Sequence, residues 1–384
     1  MTRNQNQDPL RNETEIIKRI WRALPTRAGK KRRDWLRLGI GDDAAVIRNV
    51  AHGEATAGDW VLSTDSFLEG VHFLPDVHSP GDIGYKALAR ATSDLAAMGA
   101  APRFFLMSLA LPSSRTGKWL DGFLKGMGDA AHELGMALIG GDTSRFSSLA
   151  INVTVSGRAG PSQGTGKRAL SGETQVGHLL TRSGARPSDL IYVSGTLGAA
   201  QLGLEIILHG LDGKANTPRI PSGRHWKGLL QPHLRPKVQL ALGRWLAGEN
   251  PSRGPIASAA IDTSDGLSTD LNHICRSSGV GARIWAERIP AVAVPESLRR
   301  HGFTLKSLEL ALHGGEDYQL LFTVPPVFAR RLPLALRGVK LTQIGEIVPL
   351  RMKSIHRASR IELVTADGRT RPLIPAGWDP FAKR

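Results

Sequence analysis

Five short acidic motifs carry the residues of this chain that are best suited to binding metal ions and phosphate. They are residues 39–46 (Gly-Ile-Gly-Asp-Asp-Ala-Ala-Val), 63–65 (Ser-Thr-Asp), 93–99 (Ser-Asp-Leu-Ala-Ala-Met-Gly), 140–143 (Gly-Gly-Asp-Thr) and 262–266 (Asp-Thr-Ser-Asp-Gly). Each is predicted where an apolar element ends or turns, except Asp94, which is predicted on an apolar helix face. Carboxylate and hydroxyl oxygens suit Mg²⁺, which usually completes its shell with water and phosphate oxygens. The motifs therefore predict an enzyme that acts on phosphates without a P-loop.

Phosphoryl transfer explains why such residues would be needed together. The reaction requires the donor phosphate, the acceptor oxygen and the metal ions to be held in line while negative charge is offset. Glycines at 39, 41, 140 and 141 would let backbone N–H groups approach phosphate closely. Each motif alone is weak evidence, because an Asp-Asp pair after glycine is most often a turn and Ser-Asp-Gly is commonly a helix cap. The five motifs in one chain are much more specific.

The net charge of +16 raises the alternative of a nucleic-acid-binding protein. The basic residues are dispersed, apart from one dense run at 30–33, and no RNA-binding aromatic motif, zinc finger or heptad zipper is present. Attraction of anionic phosphorylated substrates explains the same charge. We therefore expect no nucleic-acid partner.

Cysteine content and hydropathy indicate the compartment. The single cysteine, Cys275, can form neither an internal disulfide nor a thiolate metal site alone. No apolar run approaches the roughly 20 residues that cross a bilayer, and the polar first residues lack a signal-peptide core. We expect a cytoplasmic protein with no membrane partner.

Strand and helix patterns alternate in both halves of the 384-residue chain, which predicts an α/β (α+β) protein of two domains. We predict a disordered tail at 1–11, an N-terminal domain at 12–160, a linker with an insertion at 161–188 and a C-terminal domain at 189–384. The N-terminal domain is predicted to contain strands at 60–63, 104–111, 137–139 and 151–156, and helices that begin at Pro80 and Trp119. The C-terminal domain is predicted to contain helices at 236–246, 267–277 and 327–336, and strands at 190–193, 258–261, 318–324 and 341–344.

The motifs, with several neighbouring segments, resemble thiamine-monophosphate kinase, a family within the aminoimidazole ribonucleotide synthetase superfamily. The resemblance covers roughly residues 12 to 381. Besides the acidic motifs it rests on segments 69–73 (Glu-Gly-Val-His-Phe), 85–89, 181–185, 233–236, 314–318 (Gly-Gly-Glu-Asp-Tyr) and 377–379 (Gly-Trp-Asp). The glycine-flanked acids are shared across the superfamily, whereas segments 71–73, 315–318 and 377–379 favour the kinase branch.

The resemblance implies direct, in-line transfer of the γ-phosphoryl group of ATP onto thiamine phosphate, giving thiamine diphosphate. It implies Mg²⁺ ligands at Asp43, Ser63, Thr64, Asp65, Asp94, Asp142, Asp262 and Asp265. Contacts with ATP or its metal-bound phosphates are implied for Gly141, Asp142, Arg182 and Ser264. Contacts with thiamine phosphate are implied for His72, Glu316 and Trp378, with the indole stacked on a thiamine ring. Asp65, Asp142 and Arg182 would be the catalytic residues.

The resemblance also implies a homodimer, in which two N-terminal domains pair so that their sheets form a barrel, with the active site in the cleft between domains. One departure concerns Arg182. In the family a Gly-Arg-Ala-Leu-like stretch runs directly into Thr-Arg-Ser-Gly, but here residues 171–180 separate the two. Arg168 is therefore an alternative ATP contact. We interpret this insertion and the polar stretch 211–227 as surface loops.

Two other functions remain as alternatives. The closest is another ATP-dependent enzyme of the superfamily, such as aminoimidazole ribonucleotide synthetase. Selenophosphate synthetase is disfavoured because the only cysteine lies at 275, far from the N-terminal segment. A basic nucleic-acid-binding protein without catalysis is the alternative from another class, but it would have no reason to keep all five acidic motifs.

Overall fold

The computed structural model describes residues 13–23, 35–48, 59–159, 178–209, 218–221, 223–249, 254–300, 304–350 and 359–381. The predictions for the tail 1–11, the basic run 30–33, Arg168 and most of the insertion 171–180 lie outside these residues. The first described element is helix α1 (Glu13–Ala23), which carries Glu13 and Glu15 in its first turn. Within the described parts of the chain, no helix combines the length and apolar character needed to cross a membrane.

The N-terminal half forms a six-stranded sheet in the order β1-β2-β3-β6-β4-β5. Its strands are β1 (Leu36–Leu38), β2 (Ala45–Ile47), β3 (Trp60–Leu68), β4 (Ala101–Leu111), β5 (Ala137–Arg145) and β6 (Ala150–Arg158). The edge strand β5 runs parallel to β4, while β6 pairs antiparallel with both β3 and β4. The alternation predicted at 151–156 is confirmed, because Ile151, Val153 and Val155 are fully buried.

Two helices, α2 (Pro80–Ala97) and α3 (Lys118–Leu134), pack against each other and contribute to the same core as β3, β4 and β6. Helix α2 begins as predicted, with Ser79 as the N-cap that accepts from the Asp82 N–H and Pro80 in the first turn. Gly99 follows its end with φ +70. Helix α2 is buried over most of its surface, so it can carry side chains into the interior of the protein.

The C-terminal half forms an eight-stranded sheet. Its strands are β7 (Leu190–Ser194), β8 (Ala259–Asp262), β9 (Gly281–Trp285), β10 (Leu320–Val324), β11 (Ala335–Leu336), β12 (Val339–Val348), β13 (Ile361–Val364) and β14 (Thr370–Pro372). The order is β14-β13-β9-β12-β7-β10-β8, and β11 pairs with β12. Strand β8, which carries Asp262 at its end, therefore lies at one edge of the sheet.

Seven helices are described in this half. They are α4 (Ala199–His209), α5 (Arg224–Leu234), α6 (Leu240–Leu246), α7 (Leu267–Ser278), α8 (Glu296–Arg300), α9 (Ser307–His313) and α10 (Pro326–Ala329). One apolar cluster joins the two halves, since Ala96 and Ala97 of α2 pack with Leu242, Leu246 and Ala260. This cluster fixes α2 against β8 and thereby sets the positions of the side chains that each contributes to the site.

Four details differ from the sequence predictions. Strand β3 continues through 63–65 to Leu68, and β5 continues through 140–143, so these motifs lie inside strands rather than after them. Thr64 and Asp142 are tolerated there because they lie on the open face of the sheet, whereas Ser63 and Asp65 have polar partners on α2. The helix predicted at 327–336 is reduced to α10, because Pro333 lacks an N–H and blocks a helix before it. The helix predicted from 236 begins only at Leu240.

Candidate active site

Three carboxyl groups from distant parts of the chain meet between the two halves. Asp43 follows β1, Asp94 lies on α2 and Asp262 ends β8, and one oxygen of each lies within 4.8 Å of the others. Asp43 Oδ2 is buried and has no hydrogen-bond partner among the described residues. A buried carboxylate oxygen without a partner is costly, so this cluster is suited to a cation that would occupy the space between the oxygens.

The electrostatics of the cluster agree with that interpretation. Burial raises the pKa of Asp262 to about 7, with a further increase from Asp43. Burial also raises the pKa of Asp94 well above its ordinary value, and the nearby Asp262, Asp65 and Asp43 add to the effect. Like charges this close disfavour one another's ionisation unless a counter-charge is present. Ionised together, the three groups therefore need a cation.

Arg182 is one such counter-charge. Its Nε donates to Asp43 Oδ1 at 2.9 Å and its Nη2 makes a second, short contact with the same oxygen. The Arg182 backbone N–H donates to both oxygens of Asp42 at 3.2 Å. The segment around it is fixed from both halves, because Leu180 N–H donates to Met98 O and Ala260 N–H donates to Thr181 O. Arg182 therefore reaches the acids despite the insertion that precedes it in the chain.

Strand β3 contributes two further predicted residues on the same side. The Ser63 hydroxyl donates to Asp94 Oδ2 in a short hydrogen bond. Asp65 Oδ2 lies 3.4 Å from Nε of Arg90, a residue of α2. Ser63 and Asp65 alternate along the strand and so face the helices together. The structure places both beside Asp94.

Thr64 and Asp142 lie on the opposite, open face of the same sheet. Thr64 Oγ1 contacts Asn152 at 2.9 Å and Thr154 at 3.0 Å, both on the exposed side of β6. Asp142 aligns through Ser108 and Asn152 with Ser66, about 14 Å away at three strand spacings. Within one chain, therefore, the structure does not bring Thr64 or Asp142 to the acid cluster.

The neighbouring Gly141 has a structural reason to be glycine. Its φ is +157, and an added Cβ would lie 1.8 Å from the carbonyl oxygen of Met107 on β4. Close pairing of β4 and β5 therefore excludes a side chain at this position. The glycine does not by itself indicate a phosphate contact.

The remaining predicted residues of the C-terminal half are brought together by backbone contacts. Glu316 N–H donates to Ser264 O at 2.8 Å, and Trp378 N–H donates to Asp265 O at 3.0 Å. An added Cβ at Gly377 would lie 2.1 Å from Asp265 O, so the C-terminal segment packs directly on this loop. Burial, followed by Glu13 of α1, raises the pKa of Asp265 to about 6. Ser264, Asp265, Glu316 and Trp378 thus border one region.

Glu316 forms a buried ion pair with a residue of the other half. Lys86 Nζ, on α2, lies 2.7 Å from Glu316 Oε2 and 3.4 Å from His233 Nδ1, while His233 Nε2 lies 3.1 Å from His78 Nε2. Although burial opposes it, Lys86 lowers the pKa of Glu316 to about 2. Glu316 has φ +65, an uncommon conformation for a residue other than glycine. Such strain is typical of functional sites, and here it aims the carboxylate at Lys86.

His72 lies on the same side of the site as Glu316. Its Nδ1 accepts from Leu68 N–H at 3.0 Å, so that nitrogen carries no proton. Its ring centroid lies 5.7 Å from that of Phe67. Burial, with a further contribution from Arg90, lowers the pKa of His72 to about 4. His72 is therefore a neutral imidazole at physiological pH.

The structure adds residues to which the sequence analysis gave no role: Glu13, Asp42, Lys86, Arg90 and His233. A signal for two of them exists in the sequence, because Lys86, Arg90 and Asp94 are spaced four residues apart and share one face of α2. Glu13 had no such signal, since its place beside Asp65 and Asp379 depends on how α1 packs.

A two-sheet α/β fold with buried aspartates between its halves is typical of an enzyme that binds metal ions and phosphates. Comparison with known proteins agrees with this class. Residues 41–159 match the family model described as AIR synthase related protein, N-terminal domain. The chain is 39% identical to thiamine-monophosphate kinase of Escherichia coli K12 over 81% of its own length and 84% of that protein. It is 34% identical to the Bacillus subtilis protein of the same name, over 75% and 77%.

Solved structures give the same result. AaThiL complexed with AMPPCP and TMP superposes with a TM-score of 0.73, at 27% identity, over 98% of this chain and all of that one. Thiamine-monophosphate kinase from Stenotrophomonas maltophilia K279a superposes with a TM-score of 0.64, at 33% identity, over 88% and 93%. The chain belongs to the thiamine-monophosphate kinase family and is an enzyme of that activity.

Proposed function

We propose that this chain transfers the γ-phosphoryl group of ATP directly to thiamine phosphate, with the reacting phosphates held beside Asp43, Asp94 and Asp262. The convergence of these three carboxyl groups within 4.8 Å is the observation that carries the proposal. It is supported by the AMPPCP and TMP in the AaThiL structure. The acids lie between the two halves, so both substrates would enter the same cleft.

Mg²⁺ fits the residues present. The donors are oxygens, one of them buried and unpartnered on Asp43, and Mg²⁺ prefers oxygen ligands. We propose that Asp43, Asp94 and Asp262 hold the ions together with Ser63, Asp65 and Asp265. Bound Mg²⁺ would offset the charge of the triphosphate.

Several residues near the cluster have a proposed task in this reaction. Arg182, fixed on Asp43, would offset charge on the transferring group. On the other side, Glu316 and the neutral His72 would bind thiamine phosphate, and Trp378, whose backbone is fixed on Asp265, would stack on a thiamine ring. The acceptor phosphate is already largely ionised near neutral pH, so the chain needs no general base to remove a proton. Its residues act by position and charge.

We further propose that two copies pair through the N-terminal sheet. Every residue of the edge strand β5 is exposed, and Leu138 and Ile139 are more than half exposed. An exposed edge strand with apolar residues is an unfavourable surface for a single chain. Pairing would cover it, and it would bring the open face that carries Asp142 and Thr64 towards a second copy. Those two residues could then complete a site shared between copies, alongside Ser264 and Gly141 near the nucleotide.

The activity is tested by incubating the protein with Mg²⁺-ATP and thiamine phosphate and separating the products by chromatography. Thiamine diphosphate and ADP are expected in equal amounts, and the formylglycinamidine substrate of aminoimidazole ribonucleotide synthetase should give no product. Asp262→Asn should lower kcat by at least about 100-fold, because it removes an anionic ligand from the cluster. Asp76→Asn, on an exposed acid that pairs with Arg115, should retain activity and serves as the control.

The direct, in-line course has its own test. ATP made chiral at the γ-phosphorus should give product with inverted configuration, because a single displacement inverts the centre. Retention would indicate two successive transfers and a phosphorylated enzyme, which would contradict a direct transfer.

We propose that the enzyme works in the cytoplasm. The single buried cysteine, Cys275, would be compatible with that reducing compartment.

A further inference from the structure

Arg90 on α2 is a buried cation that the reaction as described so far does not use. Its neighbours one helical turn away in each direction are Lys86, which pairs with Glu316, and Asp94, which belongs to the acid cluster. At 1.5 Å per residue, Arg90 lies about 6 Å along the helix axis from each. The guanidinium therefore stands between the acids proposed to bind the donor phosphates and the groups proposed to bind thiamine.

The guanidinium is incompletely partnered where it lies. Its side chain is only 15% exposed, and Nε approaches Asp65 Oδ2 at 3.4 Å. Among the described residues, however, neither Nε nor Nη1 has a hydrogen-bond partner. Its carbon Cζ lies 5.3 Å from the centroid of the Phe67 ring, which positions the guanidinium plane from one side. Buried N–H donors without acceptors are costly, so the site is suited to a ligand that carries acceptor oxygens.

Charge around Arg90 favours the cationic form. Asp65 lies beside the guanidinium, and an arginine side chain stays protonated in proteins. A permanently charged, planar group of N–H donors matches the geometry of a phosphate. The problem it would solve is electrostatic, since an anionic acceptor must approach an anionic donor beside several carboxylates.

We propose that Arg90 binds the phosphate group of the acceptor substrate and holds it facing the γ-phosphorus of ATP. This inference rests on the proposed function. In the step itself, an oxygen of the acceptor phosphate forms a bond to the γ-phosphorus, the bond from that phosphorus to the β,γ-bridging oxygen breaks, and ADP leaves. No proton has to move, and Arg90 stabilises the acceptor oxygens throughout.

The decisive measurement is the preference of the protein for thiamine phosphate over unphosphorylated thiamine. It is the ratio of the two dissociation constants, each determined by calorimetric titration. Arg90→Met should reduce that preference by about 10- to 100-fold, the range of a charge-assisted hydrogen bond. KM for thiamine phosphate should rise correspondingly, while KM for ATP changes by less than about threefold. Arg90→Lys, which keeps the charge without the planar fork, should show a smaller loss.

Arg115→Met is a matched control, because Arg115 also pairs with one aspartate, Asp76, and lies over one aromatic ring, Trp119. It should leave the preference unchanged, and thermal unfolding of all three variants checks their folding. An unchanged preference in Arg90→Met overturns the proposal. A loss confined to KM for ATP or to the Mg²⁺ requirement also overturns it, because Arg90 would then only neutralise the acids.

Inorganic phosphate separates this proposal from the proposed function. If the wild-type protein forms no thiamine diphosphate, the proposed function is wrong. Inorganic phosphate should even then raise the unfolding temperature of the wild type and leave that of Arg90→Met unchanged, if Arg90 binds phosphate. Equal stabilisation of both proteins by phosphate would show that Arg90 does not bind it. The two failures are therefore distinguishable.

Discussion

Two basic side chains near the site each fix an acid, and these two pairs divide the site into two regions. Arg182 is fixed on Asp43 in the region of the acid cluster, and Lys86 is fixed on Glu316 in the region of the proposed thiamine site. Breaking a buried pair leaves an uncompensated charge, which is strongly destabilising. Substitutions at Lys86 or Arg182 will therefore affect folding as well as turnover. Residues outside these ion pairs are the better probes.

His72 provides such a probe through the pH dependence of stability. Its folded-state pKa of about 4 lies below the unfolded value near 6.5. The unfolded chain therefore binds the proton first as the pH falls, so the contribution of His72 is complete above pH 6.5 and is lost towards pH 4. Between pH 7 and pH 4.5, wild type should lose about 1–2 kcal/mol relative to His72→Gln, a figure reduced for partial exposure.

Urea unfolding of both proteins at the two pH values measures this difference. His132→Gln, at an exposed position on α3, is the control and should show no comparable change relative to wild type. A constant difference between wild type and His72→Gln across the range would show that the imidazole titrates normally. That result would remove the evidence for a neutral His72 in the site.

At this scale, the sequence was sufficient to indicate most of the acids but not their partners. The motifs identify Asp43, Asp94 and Asp262 because glycine, serine and apolar neighbours surround them. Nothing local shows that Arg182 would select Asp43, or that Glu316 would reach Lys86 on α2, 230 residues away along the chain. Pairing of this kind depends on tertiary packing.

At the scale of elements, α2 is the part on which the site depends, and glycines let it lie close to α3. An added Cβ at Gly84 would lie 2.1 Å from Phe123 O, and one at Gly126 would lie 1.8 Å from Gly81 O. The two helix backbones therefore touch at these points. This close packing fixes the line of Lys86, Arg90 and Asp94 relative to the sheet.

Two glycines of α3 test this packing. Gly126→Ala should destabilise the protein by about 2–3 kcal/mol, because an added methyl group has no space and forces the helices apart. Gly128→Ala, two residues along the same helix with no atom within 4 Å of its added Cβ, should stabilise it by about 0.5–1 kcal/mol. Denaturant unfolding measures both. Similar effects of the two substitutions would contradict close contact at Gly126.

Helices and buried strands with strong periodicity could be predicted from the sequence, as α2, α3 and β6 show. Strands β3 and β5 extend beyond their predicted ends. Thr64 and Asp142 lie on an open sheet face, and the other polar residues of β3 there have partners on α2, which the sequence alone does not reveal. Strands β13 and β14 were missed because both are short: β13 pairs with β9, which is distant in sequence, and β14 only forms a hairpin with β13. Short elements of this kind are defined by their neighbours in the fold.

At the scale of the whole molecule, the open face of the N-terminal sheet is the feature that a single chain does not explain. Ile139 on β5 is 58% exposed. If two copies pair there, Ile139→Lys should weaken their association by about 100-fold, because it places a charge in an apolar contact. Sedimentation velocity measures the shift from dimer to monomer. Leu334→Lys, at a position 89% exposed outside the sheet strands, should leave the dimer intact.

The position of Asp142 makes a sharper prediction, because it separates a site within one chain from a site shared by two. Asp94→Ala and Asp142→Ala should each abolish turnover. If Asp142 acts across the pair, a heterodimer of the two variants contains one site with both aspartates intact. Random exchange of an equal mixture makes half of the dimers heterodimers, each with one of two sites restored, so activity should recover to about one quarter of wild type. If the mixture stays inactive after subunit exchange has been demonstrated, Asp142 does not complete a partner's site, and its place on the open face of β5 has another purpose.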